Sequence, residues 1–127
     1  MRLLLDTSVL IDVLRGREDT RVLLARLVRE GHFLSTTVQN IAELYAGMLS
    51  GEEPKTEQFL GGLECFDLSA AEARLAGRLK NSWQKKGRTL TLSGTIIAAV
   101  AIEHRCVLMT DNRKDFPMPE ISLYPLP

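Results

Sequence analysis

Four acidic positions and a pair of hydroxyls are the residues here whose types and spacing could do chemistry. Asp6 ends the apolar run Leu3-Leu4-Leu5 and is followed at once by Thr7 and Ser8. A continuous apolar run marks a strand buried on both faces of a parallel sheet, and in open α/β sheets ligands sit outside the carboxyl ends of such strands. Asp6 therefore stands either at a reaction site or as the cap of the next helix, a place that Asp, Ser and Thr all favour. Glu43 lies inside a helix that opens at Thr37-Val38-Gln39-Asn40, and Asp111 and Asp115 follow the late strand Cys106–Thr110. Oxygen donors without His or Cys partners suit a hard cation, Mg²⁺ or Mn²⁺. Such an ion lowers the pKa of a bound water and clamps a phosphodiester, the chemistry of metal-dependent nucleases. Taken singly, each acid is equally a solvated loop or helix residue.

The elements that must position these groups alternate in type. After the first strand, Val9, Leu10, Ile11, Val13 and Leu14 form a short apolar helix ended by Gly16, and Leu23, Leu24, Leu27 and Val28 recur at helical spacing up to Gly31. His32–Thr36 reads as a second strand. The third helix carries Ile41, Leu44, Tyr45 and Met48 on its apolar side, with Gly51–Pro54 as a loop and Lys55–Leu63 as a weaker helix. Cys65–Leu68 is extended. Ser69 and Glu72 have capping-box spacing and open a long helix reaching about Lys86, with Ala73, Leu75, Ala76, Leu79 and Trp83 on its apolar side. Lys80, Lys85, Lys86 and Arg88 crowd its end, where cations are favoured by the helix dipole; that reading outweighs an RNA-binding patch. Ser93-Gly94-Thr95 precedes Ile96–Ile102, apolar nearly all round and so expected to be buried. Ile121–Tyr124 offers a last strand. Strands alternating with helices predict an α/β sandwich with a mainly parallel sheet.

Composition sets bounds. At 127 residues the chain suits a single domain, 1–127, able to bury its own core. Its 16 basic and 16 acidic residues balance, so any contact with nucleic acid must come from a local patch. Cys65 and Cys106 lack ligand spacing and read as reduced core thiols of a cytoplasmic protein. No apolar run is long enough for a membrane, and the first strand begins too early to leave room for a signal peptide.

At this point the chain resembles the PIN-domain proteins. Leu5-Asp6-Thr7-Ser8-Val9-Leu10-Ile11-Asp12 is similar to their opening, Asn40-Ile41-Ala42-Glu43-Leu44-Tyr45-Ala46-Gly47 to their second acidic motif, and Ile96–Ala101 followed by Thr110-Asp111-Asn112-Arg113-Lys114-Asp115-Phe116 to their late helix and loop. The resemblance runs nearly end to end, and length and pattern most resemble the VapC toxins of toxin–antitoxin pairs. It implies a three-layer α/β/α sandwich, RNA cleavage with Mg²⁺ or Mn²⁺, a homodimer, and neutralisation by a small VapB-like antitoxin. Asp6 would be the central metal ligand, Glu43 the second acid and Asp115 the acid before the late Phe. Asn112, Thr7 and Ser8 would support them; Asp111, where the family often has a neutral or basic residue, is a fourth supporting candidate.

One departure matters. The family pattern places an Asp at the start of the Ile-Ala-Ala helix, where this chain has Gly94. The cage loses a carboxylate, so the chain either binds metal through a depleted set, has lost activity, or carries a substitution that detoxifies it. A glycine chosen for its backbone is the ordinary alternative. Rival readings fit less well. An aspartyl-nucleophile phosphatase wants a second Asp where Ser8 stands, Lys114 is poorly placed for a receiver domain, and there is no Gly-rich phosphate loop. The main rival is a catalytically impaired PIN fold acting as a protein- or RNA-binding module.

Overall fold

A computed structural model describes residues 1–127. Four parallel strands form one sheet, β1 (Arg2–Leu5), β2 (Phe33–Thr37), β3 (Glu64–Phe66) and β4 (Val107–Met109), in the order β3-β2-β1-β4. The chain steps from β1 outward through β2 to β3, then returns to the other side of β1 for β4. The strand order thus reverses between β1 and β4, and crevices open at such reversals.

Six helices cover the two faces: α1 (Thr7–Leu14), α2 (Glu18–Arg29), α3 (Val38–Ala46), α4 (Glu53–Leu60), α5 (Ala70–Lys85) and α6 (Leu92–Glu103). Successive side chains on a strand point to opposite faces, so β1 feeds two cores. Leu3 and Leu5 pack with Val9, Leu10, Leu23, Leu24, Leu27, Leu44 and Met109 beneath α1, α2 and α3. Leu4 packs with Leu79, Ile97, Ala98, Ala101 and Leu108 beneath α5 and α6. The result is the expected three-layer α/β/α sandwich.

The elements differ from the sequence expectations mainly at their ends. Ser69 and Glu72 do form a reciprocal capping box at the start of α5. Helix α6 begins at Leu92, capped by Thr91, so Gly94 lies inside its first turn rather than ahead of it. Ile121–Tyr124 makes only a single parallel bridge, Leu108 to Leu123. Cys106 is buried as expected, but Cys65, on the edge strand β3, is exposed. No helix is long and apolar enough to cross a membrane.

Candidate active site

The carboxyl ends of β1 and β4 lie side by side because Leu5 pairs with Met109, and Asp6 N–H extends that ladder to the Met109 carbonyl at 2.9 Å. Asp6 and Thr110 are the next residues of their strands, and Thr110 Oγ1 donates to Asp6 Oδ2 at 2.7 Å. Asp6 is also the N-cap of α1, its Oδ1 accepting from Thr7 N–H at 2.9 Å. The two readings of Asp6 are therefore compatible: one oxygen caps the helix, and the other keeps a free lone pair.

On the other flank of β1, Thr37 closes β2 and caps α3, which fixes Asn40 one turn in. Asn40 is fully buried. Its Nδ2 donates to Asp6 Oδ1 at 3.1 Å and to Thr7 Oγ1 at 3.0 Å, while its Oδ1 accepts from Thr37 Oγ1 at 2.7 Å. Glu43 follows three residues later on the same face of α3, and its Oε1 accepts from Thr7 Oγ1 at 3.2 Å. Neither Asn40 nor Thr110 was among the sequence candidates. Both do their work through a side chain folded inward, and their only signal in the sequence was position: three residues before Glu43, and the last residue of the late strand.

Asp115 ends a 3₁₀ turn, Arg113–Asp115. The next residue, Phe116, is buried in the core beneath α5 and α6, so an apolar anchor holds Asp115 at the site. Asp6, Glu43, Asn112 and Asp115 line one cleft of about 250 Å³, together with Thr7 and Ser8. Gly94 forms part of its wall, with Thr91 and Ser93 beside it. Gln39 Nε2 donates to Ser93 Oγ at 3.2 Å and ties α3 to α6 across the site. Asp111 is the exception among the candidates. Its backbone N–H donates to Ser8 Oγ at 3.0 Å, but its carboxylate turns away from the cleft toward Asp12 and Arg17, whose Nη1 is 3.9 Å from Oδ1.

Electrostatics fit this geometry. Burial pushes the Asp6 carboxyl above its ordinary range, and the charge of Asp115 pushes the same way. The hydrogen bonds from Thr110, Thr7 and Asn40 oppose the rise without cancelling it. A cation in the cleft would relieve both pressures. The donor set is all oxygen, which suits Mg²⁺ or Mn²⁺. Three of the roughly four acceptor sites of the Asp6 carboxylate are taken by protein donors, leaving one on Oδ2. No three acidic, imidazole or thiol groups lie close enough to grip an ion alone, so the residues fit a hard ion held by few carboxylates and completed by water, a mode Mg²⁺ commonly adopts.

Comparison with known proteins agrees with this architecture. The sequence pattern of the PIN domain matches residues 3–118. Ribonuclease VapC19 of Mycobacterium tuberculosis is 32% identical over 115 residues, spanning 91% of this chain and 92% of that protein. Among solved structures, VapBC2 from Rickettsia felis bound to a DNA fragment from its promoter superposes with a TM-score of 0.87 at 25% identity, covering 98% of both chains. A toxin–antitoxin complex from Klebsiella pneumoniae gives 0.78 at 26% identity, covering 94% of each. The matched stretch takes in the whole cleft, from Asp6 to Phe116, and with it the chain belongs to the PIN-domain family as a VapC-like member.

Proposed function

We propose that this protein is the toxin of a toxin–antitoxin pair, a divalent-metal-dependent endoribonuclease. The observation that carries this reading is the convergence of Asp6, Glu43 and Asp115 on one cleft, in a fold whose similar proteins include ones named ribonucleases. Asp6, Asp115 and Glu43 would hold Mg²⁺ or Mn²⁺, Glu43 directly or through water. When bound, the ion supplies a water of lowered pKa and a Lewis-acid hold on the phosphodiester.

The chain's own residues do the positioning. Asn40 and Thr110 fix the Asp6 carboxylate, and Thr7 orients Glu43. Ser93 and Thr91 place neutral hydroxyls on the opposite wall, where they can donate to phosphate oxygens. Gly94 leaves that wall without a carboxylate, so activity is reduced relative to a fully acidic site. The protein works as a homodimer in the cytoplasm and is neutralised by a VapB-like antitoxin that places a basic side chain in the acidic cleft. The solved complexes with antitoxins support this pairing.

The test is cleavage of single-stranded RNA with Mn²⁺ or Mg²⁺, beside a chelator control and an Asp6→Asn variant. Metal-dependent cleavage that disappears in the variant is the expected result; cleavage that survives in Asp6→Asn would show that the cleft is not the source. Gly94 favours a second reading, a non-catalytic PIN fold that binds RNA or a protein. Retained RNA binding with no cleavage under any metal would select it.

A further inference from the structure

The neutral net charge conceals a sharp partition. From Ala73 to Ile102 the chain holds six of its sixteen cations and none of its sixteen carboxylates, so the remainder is correspondingly acidic. The six are Arg74, Arg78, Lys80, Lys85, Lys86 and Arg88, and none of them pairs with a carboxylate; the ion pairs of the protein all lie elsewhere. The one acid on α5, Glu72, is buried and engaged by Ser69 N–H and by His104 Nε2 at 3.0 Å.

Helix-dipole compensation explains only the last turn, since the effect fades beyond it. Arg74 and Arg78 both stand well before the last turn of α5, where cations gain little from the dipole. Their spacing shows what they share: Arg74, Arg78, Asn81, Ser82 and Lys85 fall on one helical face, and all are exposed. From Arg74 to Lys85 of α5 the stripe runs roughly 17 Å. A shallow groove along it, about 500 Å³, is lined by Arg78, Asn81, Ser82, Lys85 and Lys86 and has no hydrophobic residue. Protein interfaces are built around apolar anchors and are poor in Lys, so the chemistry of this face fits a polyanion better.

The stripe also leads somewhere. Glu72 meets His104, the residue that closes α6, so α5 and α6 run antiparallel and the basic end of α5 lies beside the start of α6 at the cleft. Lys80 Nζ donates to the Leu90 carbonyl at 2.6 Å, and Arg88 donates to the carbonyl of Lys114, next to Asp115. Thr91 and Asp115, on the two segments so tied, both line the cleft.

We infer that the exposed face of α5 is the track for the sugar-phosphate backbone of single-stranded RNA, delivering a phosphodiester to the acidic cleft. The cleft itself repels a polyanion, so affinity has to come from a separate basic surface, and α5 supplies one whose cations have no carboxylate partner. The identity of the strand as RNA rests on the ribonuclease reading above; the basic track does not.

The test measures binding without cleavage. A fluorescein-labelled single-stranded RNA oligonucleotide is titrated in EDTA across a KCl series, with the full chain, with Arg74→Gln/Arg78→Gln/Lys85→Gln, and with Arg21→Gln/Arg26→Gln/Arg29→Gln on α2 as a variant of equal net charge. The three α5 sites are exposed, and circular dichroism checks that each variant is folded. Each phosphate that is no longer neutralised lowers the log–log salt slope by roughly 0.7. The α5 variant should drop by about two in slope and at least about tenfold in affinity at low salt, while the α2 variant binds like the parent. In cleavage assays the α5 effect should fall on KM rather than kcat. Equal weakening in both variants means bulk charge alone, and absence of RNA binding by the parent removes the track; either overturns the inference. So does a normal RNA affinity in an α5 variant whose sedimentation changes, which would assign the face to a second copy of the chain. Binding that depends on α5 in a protein that never cleaves would keep the track and reject the ribonuclease reading.

Discussion

Thr7 joins two acids that come from different halves of the site. Its hydroxyl donates to Glu43 Oε1 at 3.2 Å, and its backbone N–H donates to Asp6 Oδ1 at 2.9 Å. Asn40 completes the ring by donating to both Thr7 Oγ1 and Asp6 Oδ1. The spacing between Asp6 and Glu43 is therefore set by a closed hydrogen-bond circuit rather than by two free side chains. Buried networks of this kind are rigid when every member is satisfied and costly when one is missing.

Asn40→Ala should expose that cost. Removing the amide takes one of the two donors from buried Asp6 Oδ1, the donor from half-buried Thr7 Oγ1 and the acceptor from the buried Thr37 hydroxyl, and a buried polar group left unpaired costs about 1–3 kcal/mol. Urea unfolding should show a loss of about 2–3 kcal/mol, at the upper end because Asp6 is charged. A loss under about 0.5 kcal/mol, typical of surface positions, would mean that the circuit is not what holds Asp6.

Asp6→Asn should separate stability from function. The folded state raises the Asp6 pKa through burial, so the carboxylate contributes less stability as pH rises through its folded pKa. Asparagine keeps the shape and removes the charge. At pH 7.5 without metal the variant should melt at the same temperature or higher, while RNA cleavage falls at least about 100-fold, as for loss of a group central to charge stabilisation. A variant that melts clearly lower would show that the hydrogen bonds to Asp6 outweigh its burial.

The cleft was legible in the sequence to the extent that its residues end strands or precede an anchor. Asp6 was marked by the apolar run before it, and Asp115 by its place after the late strand together with the family's pattern of an acid before Phe116. Glu43 was marked through its family motif. Asp111 follows the late strand directly, the weaker of the two signals there, and its carboxylate turns outward toward Asp12 and Arg17; a contact between residues so distant in sequence leaves no periodic trace. Cys65 read as a core thiol, yet it is exposed on the edge strand β3, and which strand lies at the edge is set by the topology rather than by local sequence. The basic stretch of α5 was visible, but its meaning depended on which cations lacked partners, which is a property of the fold.

Asp12 gives a pH test of that outward cluster. Burial and the neighbouring Asp111 raise its pKa to about 6, against the pull of Arg17. The group is ordinarily half-ionised near 3.8, so its protonated native form adds stability below about pH 4 that is lost as pH climbs through about 6. Asp12→Asn should thus be more stable than the parent at pH 7.5, with the difference shrinking toward pH 5. The full shift would amount to about 3 kcal/mol, but water screens this rim and about 1 kcal/mol is the expected gain. Thermal melts of both proteins at pH 5 and 7.5 decide it; a gain that is the same at both values would exclude titration of Asp12 as the cause.

Gly94→Asp is the decisive change at the cleft. Gly94 occupies the third position of α6, its N–H capped by Thr91 Oγ1 at 3.0 Å. A Cβ there would meet the same oxygen at 2.9 Å, closer than a Cβ sits in practice, so the Thr91 hydroxyl must shift and loosen its cap on the Gly94 N–H. Losing a Thr cap outright costs about 1–2 kcal/mol, and replacing glycine within a helix returns roughly 0.5 kcal/mol. The fold should therefore survive, and an acid in the first turn suits the helix dipole. The restored carboxylate adds a ligand and a negative charge beside Asp6 and Asp115. Without metal, the variant should be no more stable than the parent, because like charges crowd an empty cleft. With Mn²⁺ it should bind more tightly, melt higher by mass action and cleave RNA faster, by about tenfold for each 1.4 kcal/mol of transition-state stabilisation gained. Gly94→Asn, of equal size and no charge, should show none of these gains. Equal Mn²⁺ affinity by calorimetry in parent and Gly94→Asp, with equal cleavage rates, would mean that the cleft is complete as it stands.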